Sequence, residues 1–400
     1  MYLKREEEKM LDGEYGEVLA KCMRLLVTVG ELFEAKKLIN VKSCHISGVS
    51  YKNIGDFGLK LLKEFTVENV RVKVKTTINP MGMDRSLWFK LNIDKDFAKK
   101  QFKILSLFNK IGARCECTCT PYLAGNKPKM GENIAWAETS AAIYANSVLA
   151  ARTNRESGLS ALASALTGKT PYYGYHLSEN RKPTIHIKVK FKPLNQSELS
   201  ILGYFIGKVF PNSVPIFSGL NVNNLDELKI LGSGLASSGN IALYHVEEIT
   251  PEAKIFSKKG LLKNLEKFEV SRFEIKRCLE ELNSGEEDFN SIFLGCPHYS
   301  LTQLKNLSKS LNNKKIVKKF YVSTSKRVYA KAEKLGIISK ILKCGGFVLR
   351  DTCMVVAPIE KFKIKGIITD SAKAAYYLKN MGFKVKVKSL EECVKFAVEN

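Results

Sequence analysis

The sequence contains no stretch of apolar residues that approaches the roughly 20 residues of a membrane-spanning helix. Residues 1–10 are highly charged and lack the apolar core of a secretory signal peptide. The first absence argues against an integral membrane protein, and the second argues against a secreted one. We therefore expect a cytoplasmic protein, whose apolar content of 45% is normal for a globular chain.

Acidic residues are scarce relative to basic ones. The chain has 40 Asp and Glu against 64 Lys and Arg, which gives a net charge of +24. Basic surfaces bind the phosphates of nucleic acids, so a non-catalytic RNA-binding protein is one hypothesis. The lysines are spread along the chain, however, and no zinc-finger, RNP1 or K-homology signature accompanies them. We expect no nucleic acid partner, and the excess charge also suits an anionic substrate or an acidic partner chain.

The ten cysteines include no C-x-x-C pair. Zinc sites built from closely spaced pairs of ligands are therefore not indicated, and disulfides are not expected in a reducing compartment. Cys115, Cys117 and Cys119 alternate, so an extended segment would place all three on one face. Most buried cysteines are simply small apolar residues, and the informative ones must be identified by their local sequence.

Short apolar strand patterns alternate with helical patterns of 10–15 residues along most of the chain. This alternation predicts the α/β class, with stacked α/β units and mostly parallel sheets. The length of 400 residues favours several units around a shared core. We predict approximate boundaries at 1–120, 121–285 and 286–400.

A segment that is apolar nearly all round predicts a buried helix over residues 140–155. The end of this predicted helix carries Arg152, Asn154 and Arg155. Two arginines and an asparagine at the end of a buried helix indicate a polar pocket for a carboxylate or phosphate. A network of ion pairs at the helix end is the alternative interpretation.

Three cysteines lie at predicted strand ends: Cys119 before Thr-Pro, Cys296 before Pro-His, and Cys353 after Asp-Thr. Ligands of open α/β sheets bind at strand ends. Three thiolates can hold a cubane cluster and leave one iron without a protein ligand, although three buried thiols are the simpler reading. Two histidines, His176 and His298, lie in motif-like loops and could orient cluster or substrate groups.

Several motifs together resemble the aconitase X family. They are S-G-V-S (47–50), N-P-M-G-M-D (79–84), C-T-P-Y-L (119–123), G-E-N-I-A-W-A-E-T-S (131–140), Y-A-N-S-V-L-A-A-R-T-N-R-E (144–156), T-G-K-T-P-Y-Y-G-Y-H-L (167–177), G-C-P-H (295–298) and D-T-C (351–353). The resemblance covers most of the chain. It implies an aconitase-like stacked α/β fold without the swivel domain, and the activity of an iron–sulfur hydro-lyase.

The resemblance also implies a set of site residues. Cys119, Cys296 and Cys353 are expected to ligate a [4Fe–4S] cluster, with Cys117 in reserve. The base is expected on a small swivel-domain subunit that forms a heterodimer with this chain, and Ser50 is a weaker internal candidate. The residues assigned to the substrate are Gly48, Val49, Ser50, Asn79, Pro80, Glu138, Thr139, Arg152, Arg155 and Lys373.

Two substrates are compatible with the resemblance. The favoured one is (R)-5-phosphomevalonate, which would be dehydrated to trans-anhydromevalonate 5-phosphate, and the alternative is cis-3-hydroxyproline. Only phosphomevalonate carries a phosphate, so only this substrate requires a cationic phosphate site.

Overall fold

Parallel β-sheets organise the part of the chain that the computed structural model describes, which comprises residues 1–67, 69–258, 260, 262, 264–285 and 288–399. Within these residues three parallel sheets have three, four and five strands, and a two-stranded antiparallel ribbon accompanies them. No helix among the described residues is both long enough and apolar enough to cross a membrane.

The first sheet has the strand order β3-β2-β4, and the antiparallel ribbon joins β1 to β5. The strands are β1 (Leu38–Asn40), β2 (Ser43–Ile46), β3 (Lys75–Ile78), β4 (Ala135–Trp136) and β5 (Lys169–Pro171). The helices are α1 (Arg5–Leu11), α2 (Glu17–Leu32), α3 (Tyr51–Glu64), α4 (Lys95–Lys110), α5 (Thr139–Ser147) and α6 (Gly158–Thr167). Side-chain caps define several helix starts: Asp94 accepts from the Phe97 amide and begins α4.

The second sheet is built from the middle of the chain and has the order β8-β7-β6-β9. Its strands are β6 (Ile185–Val189), β7 (Pro215–Ser218), β8 (His245–Val246) and β9 (Lys267–Val270). Its helices are α7 (Gln196–Val209), α8 (Leu225–Gly239), α9 (Ala253–Lys258) and α10 (Arg272–Leu282).

The third sheet has the order β12-β11-β10-β13-β14, with every pair parallel. Its strands are β10 (Ser291–Tyr299), β11 (Lys319–Thr324), β12 (Phe347–Arg350), β13 (Gly366–Thr369) and β14 (Lys384–Val387). Its helices are α11 (Leu301–Leu311), α12 (Lys326–Lys334), α13 (Ile337–Lys343), α14 (Ala372–Asn380) and α15 (Leu390–Val398). The strand order reverses between β10 and β13, and ligands of open α/β sheets bind beyond such a reversal.

The predicted α/β class with mostly parallel sheets is confirmed. The unit boundaries at residues 120 and 285 stay predictions, but β4 and β5 lie beyond residue 120 and pair with strands that precede it. The helix predicted over 140–155 is shorter and ends at Ser147. Its apolar pattern continues beyond Ser147, but Ala150 has a φ of 50°, which an α-helix cannot accommodate.

Helices α7 and α8 approach each other through glycines. A Cβ atom on Gly203 would lie 2.2 Å from the carbonyl oxygen of Leu231. We expect Gly203→Ala to lower the free energy of unfolding by about 1–3 kcal/mol, because overpacking forces the two backbones apart. Urea denaturation of the metal-free chain measures this effect. Gly285→Ala is the control, since a Cβ there meets no atom of the described residues within 4 Å, and equal midpoints for both variants would contradict the expected close packing.

Candidate active site

One cavity of about 200 Å³ is lined by residues that follow strands of both the first and the third sheet. Asn79 follows β3, Glu138 follows β4, Cys353 follows β12, and Lys373 lies in the first turn of α14, which follows β13. The predicted site residues in its wall are Asn79, Pro80, Cys119, Glu138, Thr139, Cys296, Cys353 and Lys373. The fold thus brings most of the predicted site together.

The three thiols in the cavity wall come from three separate segments. Cys119 and Cys353 are each less than a tenth exposed. Burial raises the pKa of all three thiols, to about 12 for Cys296, while the nearby Lys373 lowers it by a smaller amount. The thiols therefore carry protons in the metal-free chain, and these protons would leave when a metal binds.

Cys296 lies inside β10 and not at a strand end as predicted, at an irregularity where the register with β11 shifts between Leu294 and Tyr299, and Gly295 shapes this irregularity. Its φ is +92°, and a Cβ atom there would lie 2.3 Å from the carbonyl oxygen of Ser323 on the neighbouring strand β11. Any other residue would be strained at this positive φ, and its Cβ would also clash with the Ser323 carbonyl oxygen. The glycine of the G-C-P-H motif thus allows the backbone to turn and point Cys296 toward the cavity.

Lys373 and Glu138 form a buried ion pair in the cavity wall. Nζ of Lys373 lies 2.8 Å from Oε1 of Glu138 and 3.0 Å from Oγ of Ser140. Burial opposes both charges, but the attraction outweighs it, so the pKa of Glu138 is lowered and that of Lys373 is raised. Oε2 of Glu138 accepts from Oγ of Ser140 and from the Ala141 amide, and so caps α5. Lys373 therefore stays cationic beside the thiols.

The loop after β2 reaches the cavity through Ser47, which begins the S-G-V-S motif but is not among the residues assigned to the substrate. Its predicted neighbours Gly48, Val49 and Ser50 are not in the wall. Ser50 is buried, and its hydroxyl donates to the carbonyl oxygen of Val356 at 2.7 Å. This bond ties the loop to the segment that follows Cys353.

Asn79 carries unused hydrogen-bonding capacity. Its Oδ1 atom is buried and has no hydrogen-bond partner among the described residues. A buried polar atom without a partner is unfavourable, and a ligand in the cavity can supply one. Nε2 of the buried His45 also lacks a partner within the described chain; burial lowers the pKa of His45 to about 4, and the adjacent Asn79 side chain opposes this effect.

The arginines at the predicted helix end have separate environments. Arg152 donates to the carbonyl oxygen of His176 and to Oγ of Ser178, and it is not in the cavity wall. Arg155 donates to Oδ1 of Asn240, and its Nη2 lies 3.2 Å from Oγ1 of Thr139.

Asn154 holds the backbone of the loop around Tyr173 and Tyr175. Neither predicted arginine lines the cavity: Arg155 contacts Thr139, which does line it, whereas Arg152 is engaged by His176 and Ser178.

Cys117 faces away from the cavity. Its φ is 43°, so the segment does not alternate as a strand. Its sulfur lies 3.6 Å from Nη2 of Arg85, which forms a bidentate ion pair with the fully buried Asp351. The reasoning that put Cys117 and Cys119 on one strand face is therefore wrong. Sequence reasoning missed the ion pair between Arg85 and Asp351. The aspartate of the D-T-C motif was the available signal, because a buried carboxylate needs a neighbouring cation.

The two motif histidines are both fully buried. His176 contacts Oδ1 of Asn133 through Nδ1 and is not in the cavity wall. His298 lies between the segments that carry the three cavity cysteines, and burial lowers its pKa to about 4. His298 is therefore a neutral imidazole at pH 7.

Comparison with protein families finds matches over nearly the whole chain. The models of the aconitase X first, second and third domains match residues 1–179, 183–280 and 289–399. The phosphomevalonate dehydratase large subunit of Methanocaldococcus jannaschii is 49% identical, over 94% of this chain and 95% of the relative. The cis-3-hydroxy-L-proline dehydratase of Pseudomonas aeruginosa is 30% identical, over 98% of this chain and 69% of the relative.

A solved structure shows the same architecture. The crystal structure of Thermococcus kodakaraensis aconitase X in its holo-form has a TM-score of 0.93 and 41% identity, over 99% of this chain and 100% of the other. These matches agree with the family that the motifs resemble. The chain belongs to the aconitase X family.

Proposed function

We propose that this chain is the large, catalytic subunit of an iron–sulfur hydro-lyase. It dehydrates (R)-5-phosphomevalonate to trans-anhydromevalonate 5-phosphate in an archaeal, modified mevalonate pathway of isoprenoid synthesis. The observation that carries the proposal is the convergence of three thiols and the Lys373 cation on one cavity. The archaeal relative at 49% identity, which is named for this activity, supports the substrate.

The reaction requires two bonds to break without any redox change. The C–O bond of the substrate hydroxyl breaks, and a proton leaves the neighbouring carbon, which is next to the carboxylate. A double bond forms between these carbons and water is released. Hydroxide is a poor leaving group, and the proton needs a base within hydrogen-bond reach.

The donor set of the cavity fits a [4Fe–4S] cluster held by Cys119, Cys296 and Cys353. Within the residues that the structure describes, no group of three or more Cys, His, Asp or Glu side chains is close enough to hold one metal ion. Three thiols around a common cavity suit a larger group than a single zinc ion. When bound, such a cluster supplies an iron without a protein ligand, which acts as a Lewis acid toward the hydroxyl and carboxylate.

The residues of the chain position an anionic substrate. Lys373 supplies a fixed positive charge beside the thiols, which suits the carboxylate next to the reacting carbons. Asn79 lies in the cavity wall, and we assign it to contact with the substrate. Arg155 contacts Thr139, which lines the cavity, and we assign the substrate phosphate to this arginine.

The proton acceptor is assigned to a small swivel-domain subunit that forms a heterodimer with this chain in the cytoplasm. Both oxygens of Glu138 are engaged by Lys373, Ser140 and the Ala141 amide. The Ser50 hydroxyl donates to a carbonyl and lies outside the wall. The words "large subunit" in the name of the archaeal relative support a second chain.

The test is turnover by the reconstituted pair of subunits. After anaerobic reconstitution with iron and sulfide, we expect (R)-5-phosphomevalonate to lose one water, as measured by mass spectrometry of the product. The phosphate-free substrate cis-3-hydroxy-L-proline is the comparison.

If phosphomevalonate stayed unchanged and hydroxyproline was dehydrated, the substrate would instead be that of the more distant relative. Absence of any turnover, with salt-dependent RNA binding that survives loss of the cysteines, would favour the RNA-binding alternative.

A further inference from the structure

The three segments that carry the cavity cysteines meet at one side chain. His298 lies two residues after Cys296 and is fully buried. Its Nδ1 lies 3.0 Å from Oγ1 of Thr118, which precedes Cys119. Its Nε2 lies 3.1 Å from the carbonyl oxygen of Thr352, which precedes Cys353. One imidazole therefore contacts the residue before each of the other two cysteines.

The backbone of His298 adds two further contacts. Its amide donates to Sγ of Cys119 at 3.2 Å, and its carbonyl oxygen accepts from Nζ of Lys229 at 3.3 Å. Lys229 is itself buried and paired with Asp226 at 2.8 Å. Helix α8 of the second sheet thus contacts the backbone of His298, while the ring of His298 contacts the segments that carry Cys119 and Cys353.

The partners determine the tautomer of the ring. The carbonyl of Thr352 can only accept, so Nε2 of His298 carries a proton and donates it. In the neutral ring Nδ1 then accepts from the hydroxyl of Thr118. Each ring nitrogen thus makes a hydrogen bond to a different segment, and an aliphatic side chain could make neither bond.

We propose that His298 is a positioning residue that holds the Cys119, Cys296 and Cys353 segments at the mutual spacing a bound cluster requires. The inference rests on the proposed function, because it assigns these thiols to a cluster. His298 does not touch the substrate in this arrangement. It acts by fixing the segments that carry the ligands, as partners behind metal ligands do.

Iron loss from the reconstituted complex tests the proposal. We expect His298→Ala to release iron to a ferrous chelator about 10–100-fold faster than the parent protein. His298→Asn and His298→Gln are each expected to restore part of the retention, because their amides can reach one of the two ring partners. The visible absorption of the cluster is followed in the same samples.

His245→Ala is the matched control. His245 is also fully buried, and its Nε2 contacts the carbonyl oxygen of Arg181, away from the cysteine segments. We expect this variant to lower thermal stability but to release iron at the rate of the parent protein. Equal rates for His298→Ala and His245→Ala would overturn the positioning role and leave a general loss of stability.

A second measurement uses the metal-free chain and separates this inference from the proposed function. His298→Ala is expected to raise the alkylation rates of Cys119 and Cys353 about tenfold, since loss of two hydrogen bonds favours local opening. His245→Ala should leave both rates unchanged. A parent protein that takes up no iron would contradict the proposed cluster, whereas equal alkylation in the two variants would contradict the positioning role.

Discussion

Replacement of Cys296 by alanine is expected to remove the bound iron and sulfide and to lower kcat/KM by at least about 10³-fold. A Lewis acid contributes several kcal/mol to the stabilisation of the transition state, and each 1.4 kcal/mol corresponds to a factor of ten. The same result is expected for Cys119→Ala and Cys353→Ala, because all three thiols line one cavity. Iron and acid-labile sulfide are measured after anaerobic reconstitution, with about four of each per parent chain as the reference for a cubane cluster.

Cys117→Ala provides the matched control for these variants. Cys117 is buried and two residues from Cys119, but its sulfur faces Arg85 rather than the cavity. We expect this variant to retain its iron and sulfide. Iron lost from Cys117→Ala and kept by Cys119→Ala would reverse the assignment of the ligand, and a stable parent protein without iron would remove the Lewis acid altogether.

Replacement of Lys373 by methionine is expected to affect both activity and stability. The substitution leaves the buried carboxylate of Glu138 without its cation, and loss of one partner of a buried ion pair lowers the free energy of unfolding by about 3–5 kcal/mol. It also removes a charge-assisted contact to the substrate, which is worth about 1.5–3 kcal/mol, or roughly 10–150-fold in kcat/KM. Urea denaturation of the metal-free chain and steady-state kinetics of the reconstituted complex measure the two effects.

The double variant Lys373→Met with Glu138→Gln separates the two roles. Removal of both charges is expected to recover most of the stability, since no unpaired charge remains in the cavity wall. Activity is expected to stay low, because the substrate still lacks its cation. If the double variant regained full activity along with stability, Lys373 would serve only to neutralise Glu138.

The local pattern of the sequence predicts the fold class well, because strand and helix periodicities are properties of neighbouring residues. The same logic fails where tertiary contacts impose an unusual backbone. Cys117 has a positive φ and its sulfur lies beside Arg85, so the alternation of Cys115, Cys117 and Cys119 does not indicate a strand face. The buried helix ends at Ser147 although its apolar pattern continues, because Ala150 takes up a left-handed conformation.

The candidate site divides in the same way. The family resemblance implied substrate roles for Asn79, Glu138 and Lys373, which all line the cavity. Composition at a helix end also favoured Arg152, but its guanidinium group is engaged by His176 and Ser178 instead. The sequence patterns therefore predicted which segments of the chain contribute to the site, but they did not predict which side chains of a segment face the cavity.

By itself the sequence determined the α/β class, the family and the segments in which the chemistry is concentrated, although, in the described part of the chain, Cys119 follows no strand and Cys296 lies inside β10 rather than at a strand end. Only the tertiary structure decided that Cys119, Cys296 and Cys353 share a cavity with Lys373, that Cys117 is excluded from it, and that His298 links the cysteine segments. The physical reason is one of distance along the chain. Periodicity and motifs reflect the constraints on adjacent residues, whereas contacts between residues 118, 298 and 352 depend on how strands and loops far apart in sequence are placed against one another.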